Sequence, residues 1–150
     1  MLKTLIEQFR EIQPKFTRFY TRMLLQAGLT QPQYAVLLEL LESYPEPMTM
    51  TAISCKLYIT KPAVTNLVDR LEKNKFVKRV DHPRDRRISL LQIMPAGKKT
   101  AEKIRSQFLD VMMAAVKQQS EAEKKIIQGF YSVLSESVDN ALHRAKGSCR

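Results

Sequence analysis

The stretch from Thr60 to Ile93, TKPAVTNLVDRLEKNKFVKRVDHPRDRRISLLQI, decides how this chain is read. Its first part carries Val64, Leu67, Val68 and Leu71 at i, i+3, i+4 and i+7, the stripe of an amphipathic helix. Thr60 offers a hydroxyl cap and Pro62 a first-turn proline. Winding of about 100° per residue puts Pro62, Asn66, Asp69 and Lys73 opposite the stripe, with Thr65 and Arg70 on its flanks. From Phe76 to Val80 and from Ile88 to Ile93 the residues are mostly β-branched or apolar, while Asp81 to Arg87 are all polar or proline. That alternation predicts a hairpin with a charged tip. A helix face of this size suits a major groove, and Arg84, Arg86 and Arg87 at the tip can reach a minor groove. Together they predict a winged helix-turn-helix that reads DNA.

The charge distribution points the same way. Net charge is +10, and residues 56 to 105 hold fourteen basic against five acidic side chains, while the flanking thirds are nearly balanced. A patch concentrated on the helix and wing favours a polyanion, because each neutralised phosphate releases condensed counterions. Charge alone would also fit a solvated basic face.

Outward from the central stretch, helical periodicity dominates. Leu2, Leu5, Ile6, Phe9, Ile12, Phe16, Phe19, Tyr20, Met23 and Leu24 recur in steps of three and four, so a first helix is expected to run to about Gly28, with Pro14 a candidate kink. Thr30-Gln-Pro-Gln33 reads as a capping box opening a second helix, which Pro45 and Pro47 break. Thr49 caps a short third helix with Ala52, Ile53 and Leu57 inside, and Tyr58 to Thr60 form the turn into the fourth. After Pro95 a long helical pattern resumes, and Ser120-Glu-Ala-Glu123 is a second capping box opening a last helix. The expectation is a mainly α fold with a small β-hairpin wing. The first, fifth and sixth helices hold more apolar surface than residues 30 to 94 can cover, which predicts burial against a second copy, although a single helical core would also absorb it.

Several classes drop out. His82 in the wing and His143 in the last helix have no triad or metal partners nearby in sequence, and Gly28, Gly97, Gly129 and Gly147 are isolated rather than a phosphate loop. No catalytic residue, metal site or cofactor is expected, so the chain does not read as an enzyme. Two cysteines, Cys55 and Cys149, form no disulfide or zinc pattern and suit a reducing cytoplasm. The first ten residues lack the features of a signal peptide, and no apolar run approaches the ~20 residues of a membrane span.

These motifs resemble the multiple-antibiotic-resistance regulator (MarR) family of bacterial transcription factors. The likeness covers nearly the whole chain and is sharpest in Met48–Leu57, in Ile59–Lys73, and in the wing Asp85-Arg-Arg87 followed by Leu90, Leu91, Ile93, Pro95 and Gly97. It implies one domain over residues 1–150, with 30–94 the DNA-binding region and 1–29 and 95–150 dimerisation helices. It further implies a homodimer on a palindromic double-stranded operator. Carried over by position, Thr60, Pro62, Ala63, Thr65, Asn66 and Arg70 would face bases and phosphates, with Arg87 at the wing tip and Arg84 and Arg86 the next candidates. Lys73 and Lys75, at the far end of the helix, would find phosphate. Asp85 would orient the arginines by ion pairing. Three positions depart from the pattern: Ser54 replaces the usual Ala, Lys75 a helix-ending Gly, and Met94 a capping Thr.

Family members bind small phenolic or aromatic acids between dimer helices and reading head, which makes Phe16, Tyr20, Met23 and Tyr34 candidate effector residues. Such residues at helical spacing are more often core than cleft. In the peroxide-sensing branch the reactive cysteine lies in the first helix, and residues 1 to 27 here contain none. Cys55 therefore reads as a partly buried structural thiol, with redox sensing the alternative if Lys56 lowers its pKa; Cys149, in the tail, reads as inert. The expected function is a sequence-specific regulator, a repressor released by a small aromatic ligand. The alternatives are a nonspecific or architectural nucleic-acid clamp, or a cysteine-based redox regulator. Thr65 and Asn66 favour reading over clamping, since hydroxyl and amide groups address base edges.

Overall fold

A computed structural model describes residues 1–85 and 87–145; Arg86, Gly147 and Cys149, about which the sequence raised expectations, lie outside the described residues. The elements run α1 (Leu2–Gln26), α2 (Gln31–Glu42), β1 (Met48–Thr49), α3 (Met50–Leu57), α4 (Lys61–Lys73), β2 (Val77–Asp81), β3 (Ser89–Ile93), α5 (Pro95–Lys117) and α6 (Glu121–Ala145). The mainly α architecture with a β wing is as expected. The sheet has three strands rather than two, in the order β1-β3-β2, because Met48 and Thr49 pair antiparallel with Leu91 and Leu90. Two residues are too few to leave a period-2 signature, so this strand is invisible to a pattern search.

Two compact units form along the chain, Met1–Arg105 and a second from Ser106 onward. In the first, the apolar stripes of three helices and the inner face of the sheet converge. Val36, Leu37 and Leu40 of α2, Ile53 of α3, Val64, Val68 and Leu71 of α4, and Val77 and Leu91 of the sheet are all essentially inaccessible to water. Burial of such side chains is the main stabilising term, about 1.5–3 kcal/mol each. Ser54, one of the departures, is buried yet satisfied, its hydroxyl donating to the Thr51 carbonyl at 2.8 Å. Its cost to stability is correspondingly small.

Helix ends fix the turns. Three helices close with the same pair of backbone bonds, in which two consecutive residues just past the helix donate back to its last turn. Gly28 and Leu29 donate to Leu25 and Leu24, Tyr58 and Ile59 to Cys55 and Ser54, and Lys75 and Phe76 to Glu72 and Leu71. This arrangement needs a left-handed residue at its centre. Gly28 takes φ +66° without strain, whereas Tyr58 (φ 55°) and Lys75 (φ 58°) carry a side chain there. Both expected capping boxes form: the Thr30 N–H donates to Gln33 Oε1 at 2.8 Å, and the Ser120 N–H donates to Glu123 Oε2 at 2.8 Å. Helix α1 runs unbroken through Pro14.

Gly97 answers to a different constraint. A Cβ on it would sit 2.2 Å from the Phe76 carbonyl oxygen, which already accepts the Met94 N–H at 2.9 Å. The start of α5 is thereby locked against the base of the wing. Each unit also leaves apolar side chains in solvent: Leu2, Leu5, Ile6, Phe9 and Ile12 of α1 in the first, and Ile126, Phe130, Val133, Leu134 and Val138 of α6 in the second. No helix among the described residues is long and apolar enough to cross a membrane.

Candidate nucleic-acid interface

The fourth helix is built as the sequence anticipated. Thr60 caps it, its hydroxyl accepting from the Ala63 N–H at 3.4 Å, and Pro62 sits in the first turn. With Val64, Val68 and Leu71 buried, the opposite side presents Pro62, Thr65, Asn66, Arg70 and Lys73 to solvent, and Lys75 is exposed beyond its end. Two residues are less available than expected. Ala63 is half-buried, and the Thr65 hydroxyl donates its proton to the Lys61 carbonyl at 3.1 Å. Thr65 therefore offers only its lone pairs and its methyl, groups suited to an amino donor or to a thymine methyl.

The wing extends from the other end of the sheet. Asp81 and Ser89 are its last paired residues, and Arg84, Asp85 and Arg87 stand exposed on the turn between them. Asp85 orients this turn through the main chain. Its Oδ1 accepts the backbone N–H of Arg87 at 2.9 Å, an Asx turn that sets the direction of the arginine through the main chain. His82 has a structural task that the sequence did not suggest. It is half-buried, and its Nδ1 accepts from the backbone N–H groups of both Arg84 and Asp85 at 3.2 Å. An imidazole acceptor there folds the wing tip from inside.

The second missed residue is Arg79 on β2. Its guanidinium bonds to Asp69 Oδ1 and to Glu72 Oε2, and its backbone N–H donates to Glu72 Oε1 at 3.2 Å. Hydrogen bonding to Asp69, reinforced by Glu72, raises the already high pKa of the guanidinium despite some desolvation. Asp69, expected on the outward face, is thus held by the sheet. Strand alternation places Arg79 on the helix side, but the pairing depends on register that no local pattern reveals.

Cys55 is half-buried in α3, as expected of a packing thiol. Its neighbour Lys56 is committed elsewhere, with Nζ 2.7 Å from Glu39 Oε2, an ion pair that raises the lysine pKa and ties α3 to α2. Among the aromatic candidates, Met23 and Tyr34 are buried core residues, while Phe16 and Tyr20 are half-buried. Tyr20 packs edge-on against Tyr34 with ring centroids 5.7 Å apart, and the Tyr34 hydroxyl donates to the Ala101 carbonyl at 3.5 Å. Burial pushes the Tyr20 phenol up to about 12, with the nearby Tyr34 adding to it. No cluster of three or more metal-ligating side chains exists among the described residues.

Comparison with known proteins places this geometry. A sequence model of the MarR family matches residues 29–89, which span α2 to the wing. The uncharacterised HTH-type transcriptional regulator YsmB of Bacillus subtilis is 34% identical over 79 residues, so the chain spans about half the length of that relative, 53% of each. A second B. subtilis regulator, YcgE, is 27% identical over 146 residues, covering 96% of this chain and 92% of its own. Among solved structures, MepR of Staphylococcus aureus in complex with DNA superposes with a TM-score of 0.71 at 26% identity, covering 87% of this chain and 96% of MepR. MepR has also been solved bound to ethidium bromide. With its winged helix, its Asp-x-Arg wing and these relatives, the chain belongs to the MarR family of DNA-binding transcriptional regulators.

Proposed function

We propose that this regulator reads a palindromic operator as a homodimer and represses the gene it overlaps. The carrying observation is the solvent-facing row Thr65, Asn66, Arg70 and Lys73 on α4 beside the exposed wing arginines Arg84 and Arg87. Asn66 and Arg70 carry the groups that address adenine and guanine edges in a major groove, while Thr60, Pro62 and Ala63 enter at the helix start. Lys73 and Lys75 hold phosphate. The wing arginines, Arg86 with them, enter the minor groove where its narrow width strengthens the negative potential.

The dimer follows from the exposed apolar rows of α1 and α6, each too long to leave in water. On this reading residues 30–94 are the reading head and residues 1–29 and 95–150 the dimerisation helices, and a second copy covers both rows. Two linked heads gain affinity for a two-fold site that one head lacks. Repression then needs only occupancy of a promoter. An aromatic ligand seated near Phe16, Tyr20, Met23 and Tyr34 would release DNA by favouring a head spacing unfit for the operator, and a tenfold loss requires ~1.4 kcal/mol of preference between the two states. The half-buried Tyr20 edge and the ethidium complex of MepR support this choice of site and ligand class. The paired Lys56 argues against Cys55 as a redox trigger. Selection from a randomised duplex pool tests the reading, with enrichment of a palindrome expected. An unenriched pool would make the protein a nonspecific clamp.

A further inference from the structure

We propose that Arg79 is a charge shield, a positioning residue that lets a carboxylate-bearing helix approach DNA; this rests on the DNA-reading role assigned to α4 above. Two of the charged side chains on α4 have the wrong sign for a polyanion, Asp69 and Glu72. Asp69 lies one turn from both Asn66 and Lys73, and its side chain is 55% exposed, so it stands on the face that would enter the groove. A bare carboxylate there repels phosphate and competes for the neighbouring cations.

Arg79 removes that penalty from outside the helix. Its two guanidinium nitrogens take the two carboxylates separately, and Glu72 also accepts its backbone N–H, so the arginine is held at both ends. It sits in the middle of β2, opposite Leu91 of β3, and the paired sheet sets its position. With both acids engaged, Lys61, Arg70, Lys73 and Lys75 are left to face the polyanion. A pair of apolar side chains would brace helix to sheet equally well. Only a cation also cancels the helix's acids.

The test compares four full-length proteins on the duplex that the wild type selects from a random pool, or on a mixed-sequence duplex if none is selected. These are wild type, Arg79→Met, the triple Arg79→Met/Asp69→Asn/Glu72→Gln, and a control with Arg79→Met and two of the α6 acids neutralised (Glu136→Gln, Asp139→Asn). Circular dichroism checks that each is folded, and Arg79→Gln, which also removes the charge, replaces Arg79→Met throughout if that variant unfolds; Arg79→Lys, which keeps the charge, is measured beside them. Arg79→Met is expected to bind on the order of tenfold more weakly at low salt, with the gap closing as salt screens it. Arg79→Lys should lose less. The triple should return to within a few-fold of wild type although it has lost every ion pair, and the α6 control should not. A triple as weak as Arg79→Met, or a control restored equally, overturns the shield. Full affinity in Arg79→Met overturns it while leaving the DNA reading intact. If the wild type binds no duplex, both fall.

Discussion

Replacing Lys75 with glycine should make the protein more stable and a poorer binder of DNA at the same time. The residue occupies a left-handed position at φ 58°, where its N–H and that of Phe76 bond back to Glu72 and Leu71. An L side chain in that region costs roughly 1–2 kcal/mol. Glycine avoids the cost but loses more entropy on folding, roughly 0.5–1 kcal/mol, so Lys75→Gly should gain about 0.5–1 kcal/mol. For a chain of 150 residues that is a rise in Tm of about 1–4 °C. Lys75→Ala keeps the strain and should leave stability nearly unchanged. Both variants lose the ammonium, so both should lower the slope of log affinity against log salt by about one unit. Denaturant unfolding at fixed protomer concentration, with fluorescence anisotropy on a labelled duplex across a salt series, reads both effects. If Lys75→Gly were no more stable than Lys75→Ala, the left-handed strain would be wrong. An unchanged salt slope in both would remove Lys75 from the interface.

Gly97→Ala should destabilise by about 1–3 kcal/mol or more, since the new methyl meets a backbone carbonyl that cannot turn aside; an unfolding curve matching wild type would refute the close approach. Stability should fall as pH rises from about 10 to about 12, because the folded Tyr20 keeps its proton, with a pKa of about 12, while the unfolded chain loses it near 10. Tyr20→Phe should flatten that fall, and an equally steep fall in the variant would contradict it. Phe9→Asp and Val138→Asp, on the exposed rows of α1 and α6, should shift sedimentation toward monomer at micromolar concentration; unchanged sedimentation in both would put the dimer contact elsewhere.

What the chain reveals by reading alone follows the range of each interaction. The fourth helix, its Thr60 cap and both capping boxes were legible because every partner lies within a few residues. Lys75 showed in advance as a residue where glycine is usual, and Gly97 as part of a Pro-x-Gly start. The reason for Gly97, a carbonyl 21 positions earlier, was not legible. In the sequence Arg79 is one cation among fourteen in a basic stretch. Its role depends on a strand lying across a helix, so only the fold brings it to Asp69 and Glu72. The role of His82 is not legible in a polar turn, since the two backbone donors it satisfies exist only once the turn has closed. Met23 and Tyr34, which helical spacing makes core more often than cleft, are buried, while Phe16 and Tyr20 at the same spacing are only half-buried, a distinction that spacing does not make.

The central claim is that α4 reads base sequence. It is tested most directly by measuring Asn66→Ala, Arg70→Ala and Lys73→Ala at one salt concentration, each against operator and scrambled duplexes. Asn66→Ala and Arg70→Ala should lose ~1 to 3 kcal/mol on the operator and little on the scrambled duplex, so the ratio of the two affinities collapses. Lys73→Ala should lose affinity for both alike and keep the ratio. Equal losses on both duplexes for all three variants would contradict the account and leave a protein that grips DNA without reading it.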